Sequence, residues 1–282
     1  MKDYRFSLIT FYVFAPLLVI ARIIQQFLLI DSKTGFYLSE FEGVASVISW
    51  LFVAFPIVLV IITALGQKTV FNAPTRSLPL GCCSFALGAA LFFDSAVSLS
   101  NAAKGGLTIA LAISAFLAAV CFIWHGLSLV ADVKFAKIFM IFPIMWGLIN
   151  LITQFIRYTG QSPIIDYKIS IVTLCFVLYC LLTQTKIIIG KSSKKQTATM
   201  LSIGLACSLF CMIDTLPTFI ATIIGQANSL IHDKSIVSPT VFIYGIYLLF
   251  FIHGLKKADL SDGNTDEETF ENEDNKTETT AE

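Results

Sequence analysis

The sequence predicts an all-α, polytopic transmembrane helical bundle of eight spans, arranged as a parallel 4+4 internal repeat. Of its 282 residues, 56% are apolar and only 13% are Asp, Glu, Lys or Arg, about half the charged share of an ordinary soluble chain. Apolar runs of bilayer-crossing length, roughly 20 residues, recur near 6–30, 44–65, 78–100, 107–130, 138–157, 169–189, 198–224 and 237–254. None alternates with period two, so helices fit these runs and barrel strands do not.

The first run is expected to be a retained span. A cleavable signal peptide would have a shorter apolar stretch and a small-x-small site; this run contains Arg22 and reaches Asp31 without one. Pro16, Pro56, Pro143 and Pro217 fall inside spans 1, 2, 5 and 7, where the missing N–H and the ring clash should kink or break a helix. In span 3, Ser84 and Gly88 lie four apart, and span 4 carries Ala112, Ala115 and Ala119 on one face; small residues let neighbouring backbones approach closely. Cys82, Cys83, Cys121, Cys175, Cys180, Cys207 and Cys211 all fall within spans. There they read as small apolar packing residues rather than a disulfide framework.

Charge gives the orientation. With the N-terminus inside, the inner ends and loops hold twelve Lys and Arg and the outer ones five, and basic loops stay on the cytoplasmic side. Both termini are therefore expected in the cytoplasm. Ten of the 19 acidic residues lie in the last 24 positions beside a single base, Lys276. That segment, 258–282, is too poor in apolar residues to fold alone and is expected to be a disordered acidic tail. A nucleic-acid partner would need a concentrated basic face outside the membrane, and none is present.

The halves resemble one another. Phe122-Ile123-Trp124-His125-Gly126-Leu127 returns 128 residues later as Phe250-Phe251-Ile252-His253-Gly254-Leu255, Gln26-Phe27 returns as Gln154-Phe155, and Asp94-Ser95 is echoed by Asp214-Thr215 at an offset of 120. The expected units are 1–132 and 133–257. Four spans each is an even number, so the copies would keep one orientation and be related by an axis along the membrane normal.

Polar residues inside spans point to function, because a charge in hydrocarbon costs on the order of 3 kcal/mol or more unless paired or hydrated. Arg22, Asp94, Gln154 and Asp214 each lie about 16 residues, or ~24 Å, from the inner start of an outward-running span. Gln25, Gln26, Asn150 and Arg157 fall within about a turn of that level. Two readings follow. These polar residues form interhelical ion pairs and hydrogen bonds, or they line an outward-facing cavity between the halves, with Arg22, Gln26, Asp94, Asn150, Gln154, Arg157 and Asp214 as its candidate contacts. In the second case the arginines would bind an anionic group and the aspartates a proton or cation. Asp94→Asn and Asp214→Asn are then expected to damage activity more than folding.

His125 and His253 end spans 4 and 8. They read either as residues interacting with helix-end carbonyls or as a pair of ligands for haem or another metal; the expected cofactor is none. Membrane-enzyme signatures are absent from the sequence: no His-Glu-x-x-His, no Gly-x-Gly-Asp, no P-loop and no mid-span lysine for a Schiff base. The chain is accordingly expected not to be an enzyme.

The first outer turn reads Asp31-Ser32-Lys33-Thr34-Gly35-Phe36, preceded by Arg22 and Gln25-Gln26. In this motif and in its eight-span layout the chain resembles uncharacterised multi-pass membrane proteins of anaerobic Gram-positive bacteria. The resemblance implies a bacterial plasma membrane and transfers no activity. The function expected from the residues is a permease or carrier for a small polar solute or ion, in contact with lipid. Its alternative is a non-transporting sensor, scaffold or accessory subunit whose polar layer is structural.

Overall fold

A computed structural model describes residues 5–31, 37–66, 71–74, 76–101, 105–131, 133–159, 165–190, 194–224 and 239–257. At 5, 6, 64–66, 71, 157–159, 165–167, 194, 195, 221, 222, 256 and 257 it describes the backbone alone. The acidic tail and the outer turn at 32–36 lie outside the described residues.

The described chain is helical, in the order α1 (Arg5–Ile24), α2 (Glu42–Gly66), α3 (Leu78–Ser100), α4 (Gly106–Val130), α5 (Ile141–Thr159), α6 (Ile165–Ile189), α7 (Lys194–Ile224) and α8 (Thr240–Gly254). Seven of these, α1 to α7, are long and apolar enough to cross a membrane. The eighth, at 15 residues, covers only ~22 Å at 1.5 Å per residue. Its expected first residues fall in the undescribed stretch 225–238.

Local chemistry sets the ends. The Ser77 hydroxyl caps α3 by accepting from the Leu80 N–H, and Pro79 sits in the first turn where no helical donor is needed. Gly190, at φ +97°, ends α6, a left-handed position that favours glycine.

The expected proline breaks take another form. α1, α2 and α7 run unbroken through Pro16, Pro56 and Pro217, and Pro143 falls in the first turn of α5, a position that tolerates proline. The irregularity in span 1 is a π-helical turn at Gln25–Leu29.

Helices α3 to α8 pack as a closed ring in chain order, each against the next, with α8 returning to α3. The α1–α2 pair lies outside it, both helices packed on α7. Two hairpins of the ring are tight. The Ser84 hydroxyl donates to the Phe122 carbonyl (2.8 Å), and a Cβ on Gly88 would meet Ile123 Cγ1 at 2.6 Å and the Ala119 carbonyl at 3.1 Å. Across α7 and α8, Ser208 donates to the Gly245 carbonyl (2.9 Å), and a Cβ on Gly204 would meet Ile252 Cδ1 at 2.9 Å. Close backbone approach of this kind holds helices together where no hydrophobic effect is available.

A two-residue antiparallel pairing joins Phe71–Asn72 to Lys256–Lys257. It ties the link between α2 and α3 to the end of α8. At the same end Tyr12 of α1 hydrogen-bonds His253 of α8 (2.6 Å).

Burial follows membrane rules. Along α1, Ile9, Val13, Leu17, Ile20 and Ile24 are exposed, while Leu8, Phe11, Ala15, Leu18 and Arg22 form the buried seam. Both stripes recur at helical spacing. An apolar exterior over an interior that admits Arg, Gln, Ser and Thr is stable only where the solvent is hydrocarbon. The protein is a multi-pass membrane protein.

Candidate functional site

Two polar systems are buried in the bundle. The first surrounds Arg22, which continues the buried seam of α1 and is 2% exposed. Its guanidinium donates to Gln25 Oε1 (2.6 Å). The Gln25 amide nitrogen donates in turn to the Tyr37 hydroxyl (2.8 Å), the Ala45 carbonyl (3.1 Å) and the Ser49 hydroxyl (3.1 Å). Tyr37 and Ser49 are themselves bonded at 2.7 Å. The π turn buries Gln25 and Gln26 side by side, because its wider turn lets consecutive residues face the same side. The chain then returns through a bridge between Ile30 and Tyr37. This network fastens α1, the outer turn and the start of α2 together.

The other residues expected at this level are spread over the bundle. Asp94 is partly buried on α3, which packs against α4 and α8. Beside it, Ser95 donates to the Ala112 carbonyl (2.8 Å). Asn150 and Gln154 are partly buried on α5, which packs against α4 and α6; Gln154 Oε1 is sealed from solvent with no hydrogen-bond partner among the described residues. The side chain of Arg157 lies outside the description. Asp214 on α7 accepts from the buried Ser170 hydroxyl of α6 (2.6 Å). Arg22 thus bonds Gln25, a residue expected at this level, and Asp214 bonds Ser170, which was not.

The second system runs inside the ring. On α6, Ser170, Thr173, Val177, Cys180 and Gln184 are all buried at spacings of three and four, one continuous face. From Ser170 to Gln184 this stripe is ~21 Å long. On α8 the buried face reads Thr240, Tyr244, Tyr247 and Phe251, and on α4 Ser114, Ala118, Cys121 and His125. These faces converge. Gln184 Nε2 donates to the Tyr247 hydroxyl, the Tyr244 and Tyr247 rings lie 6.1 Å apart, and His125 lies 6.4 Å from Tyr247. On α7, the buried Cys207 and Cys211 sulfurs are 4.0 Å apart.

Most of these polar groups are satisfied locally: Thr173 donates to the Ile169 carbonyl (2.8 Å) and Ser84 approaches His125 Nδ1 at 3.5 Å. Two are not. The Tyr244 hydroxyl and Gln184 Oε1 are sealed from solvent with no hydrogen-bond partner among the described residues. Such an orphan costs about 1–3 kcal/mol, so a buried pair of them calls for an explanation.

The two span-ending histidines differ. His125 is buried against Ser84, Phe135 and Tyr247, whereas His253 is exposed and stacked on Tyr12 with ring centroids 5.9 Å apart. Among the described residues, no three His, Cys, Asp or Glu side chains are grouped to hold a metal.

The ring interior escapes a search for charges, because its groups are hydroxyls, thiols, an amide and an imidazole. Its signal in the sequence is spacing: Ser170, Thr173, Cys180 and Gln184 keep one helical phase within a mostly apolar span. No family model, curated protein or solved structure matches the chain.

Proposed function

We propose that the protein is a carrier of the bacterial plasma membrane, both termini cytoplasmic, that takes a small polar solute through the interior of the α3–α8 ring. The single observation that carries this reading is the buried α6 stripe of Ser170, Thr173, Cys180 and Gln184 together with the facing Tyr244 and Tyr247 of α8, a set that includes two unsatisfied groups at Tyr244 and Gln184. A static bundle gains nothing from orphaned polar atoms in its core, since phenylalanine or leucine would fill the same space without the desolvation cost. A solute that supplies the missing hydrogen bonds makes sense of both. The small-residue hairpins α3–α4 and α7–α8, with Ser84 and Gly88 answered by Gly204 and Ser208 at an offset of 120, support a duplicated origin for the two halves.

The Arg22 network favours the other reading for its own region. Arg22 is hydrogen-bonded and nearly inaccessible, which suits a brace holding α1 to α2. On this view the protein is a membrane sensor, scaffold or accessory subunit if the ring interior also proves inert. Thermal unfolding of the purified protein against a panel of small solutes tests the choice. A bound solute at about 100 times its Kd stabilises by ~2.7 kcal/mol, and Gln184→Leu should reduce the shift. No shift from any solute would favour the non-transporting reading.

A further inference from the structure

Building on the carrier reading, we propose that the ring interior takes an uncharged solute that both donates and accepts hydrogen bonds, and that ions are excluded from it. The two unsatisfied groups define the complement. Gln184 Oε1 can only accept, so it needs a donor on the solute; the Tyr244 hydroxyl has a proton to give, so it needs an acceptor. Both residues are 1% exposed or less, so whatever satisfies them sits inside the ring.

No compensating charge awaits an ion there. Among the described residues, the buried side chains that can carry a charge of the Arg, Lys, His, Asp or Glu type are Arg22, outside the ring, and His125. Asp214, at the far end of the stripe from Gln184, is partly exposed and already accepts from Ser170. An ion moving inward from Asp214 meets aromatic rings, thiols and a single amide. These do not repay the loss of a hydration shell, which costs several kcal/mol per charge in such surroundings. A neutral amide or polyol loses only hydrogen bonds that Tyr244 and Gln184 replace. The anion suggested by the arginines at the sequence level therefore has no seat in the ring.

The test uses the full chain in phosphatidylethanolamine and phosphatidylglycerol liposomes. Urea and glycerol entry is followed by stopped-flow light scattering, and entry of labelled glutamate and phosphate by filtration. The expected result is urea or glycerol entry well above protein-free liposomes, with glutamate and phosphate at background. Tyr244→Phe and Gln184→Leu should each slow the neutral solute by about fivefold, the loss of one hydrogen bond. Tyr244→Phe should do so without lowering the melting temperature, whereas Gln184→Leu also gives up its bond to Tyr247 and should lower it modestly. If Tyr244→Phe fails to fold, Gln184→Leu alone decides. Neutral entry undiminished in the variants would overturn the site, as would water permeation with neither urea nor glycerol. Entry of glutamate or phosphate alone would overturn the neutral class and leave the carrier reading standing. Entry of none of the four, with no shift in the solute panel, would overturn both.

Discussion

The Arg22 network and the interior of the six-helix ring are both polar and both sealed from solvent, yet they handle desolvation differently. Around Arg22 a buried guanidinium, an amide, a phenol and a hydroxyl are linked in series by hydrogen bonds of 2.6–3.1 Å, the Nε atom making none among the described residues. Inside the ring nothing charged lies between Asp214 and Gln184 on the described faces, and two neutral groups are left open. A charge in hydrocarbon has to be satisfied permanently, so the first region is rigid by necessity. A neutral orphan is tolerable for a time, so the second can exchange partners. On the carrier reading, the charged region is the brace and the neutral one the site.

The largest expected effect breaks the first region. Gln25→Leu removes the acceptor of the guanidinium and three further hydrogen bonds, and should cost about 3 kcal/mol in denaturant titration of the detergent-solubilised protein. Arg22→Leu should cost less, about 1–2 kcal/mol, because it removes the charge along with its partner's bond. Equal losses would mean that Gln25 is not the hub.

Next, Gly88→Leu would drive side-chain atoms into Ile123 and the Ala119 carbonyl, and should cost about 2 kcal/mol by overpacking. An unchanged melting temperature would show that α3 and α4 are looser than described. Within the ring the effects shrink. Tyr247→Phe takes away the acceptor of the Gln184 amide and should cost about 1 kcal/mol. Tyr244→Phe removes a hydroxyl with no partner and should change stability by less than about 0.5 kcal/mol, or raise it. A substantial loss at Tyr244 would show that its hydroxyl is structural, and would erase the contrast between the regions.

The helices were legible in the sequence because hydrocarbon imposes one rule on every residue of a span. Span 3 was expected at 78–100 and is found at Leu78–Ser100, where Ser77 and Pro79 mark its start. The π turn was not legible: Pro16 was the visible candidate for irregularity, but the hydrogen bonds of Gln25 to Tyr37 and Ser49 depend on how the chain returns after the outer turn. Arg22, Gln25 and Asp214 stand out because charge and amide are conspicuous among apolar residues. Tyr37 and Ser49, which hold Gln25, and Ser170, which holds Asp214, do not, since a hydroxyl in a span is ordinary until its partner is known. Tyr244 and Gln184 were missed because only the folded ring brings Gln184 of α6 onto Tyr247 of α8, beside the Tyr244 ring.

A carrier needs a ring interior that communicates with water, and two cysteines on one helix report whether it does. Cys175 of α6 is exposed on the outer face of the bundle, and Cys180, five residues on, is 1% exposed within the ring. In membranes, a small neutral hydrophilic reagent such as iodoacetamide reacts only with a thiol that water can reach and ionise. Peptide mass spectrometry should find Cys180 alkylated faster than Cys175, the reverse of their surface exposure, and the transported solute should slow the reaction. Cys180 left unmodified until the protein is denatured would show a dry, static interior and contradict the account.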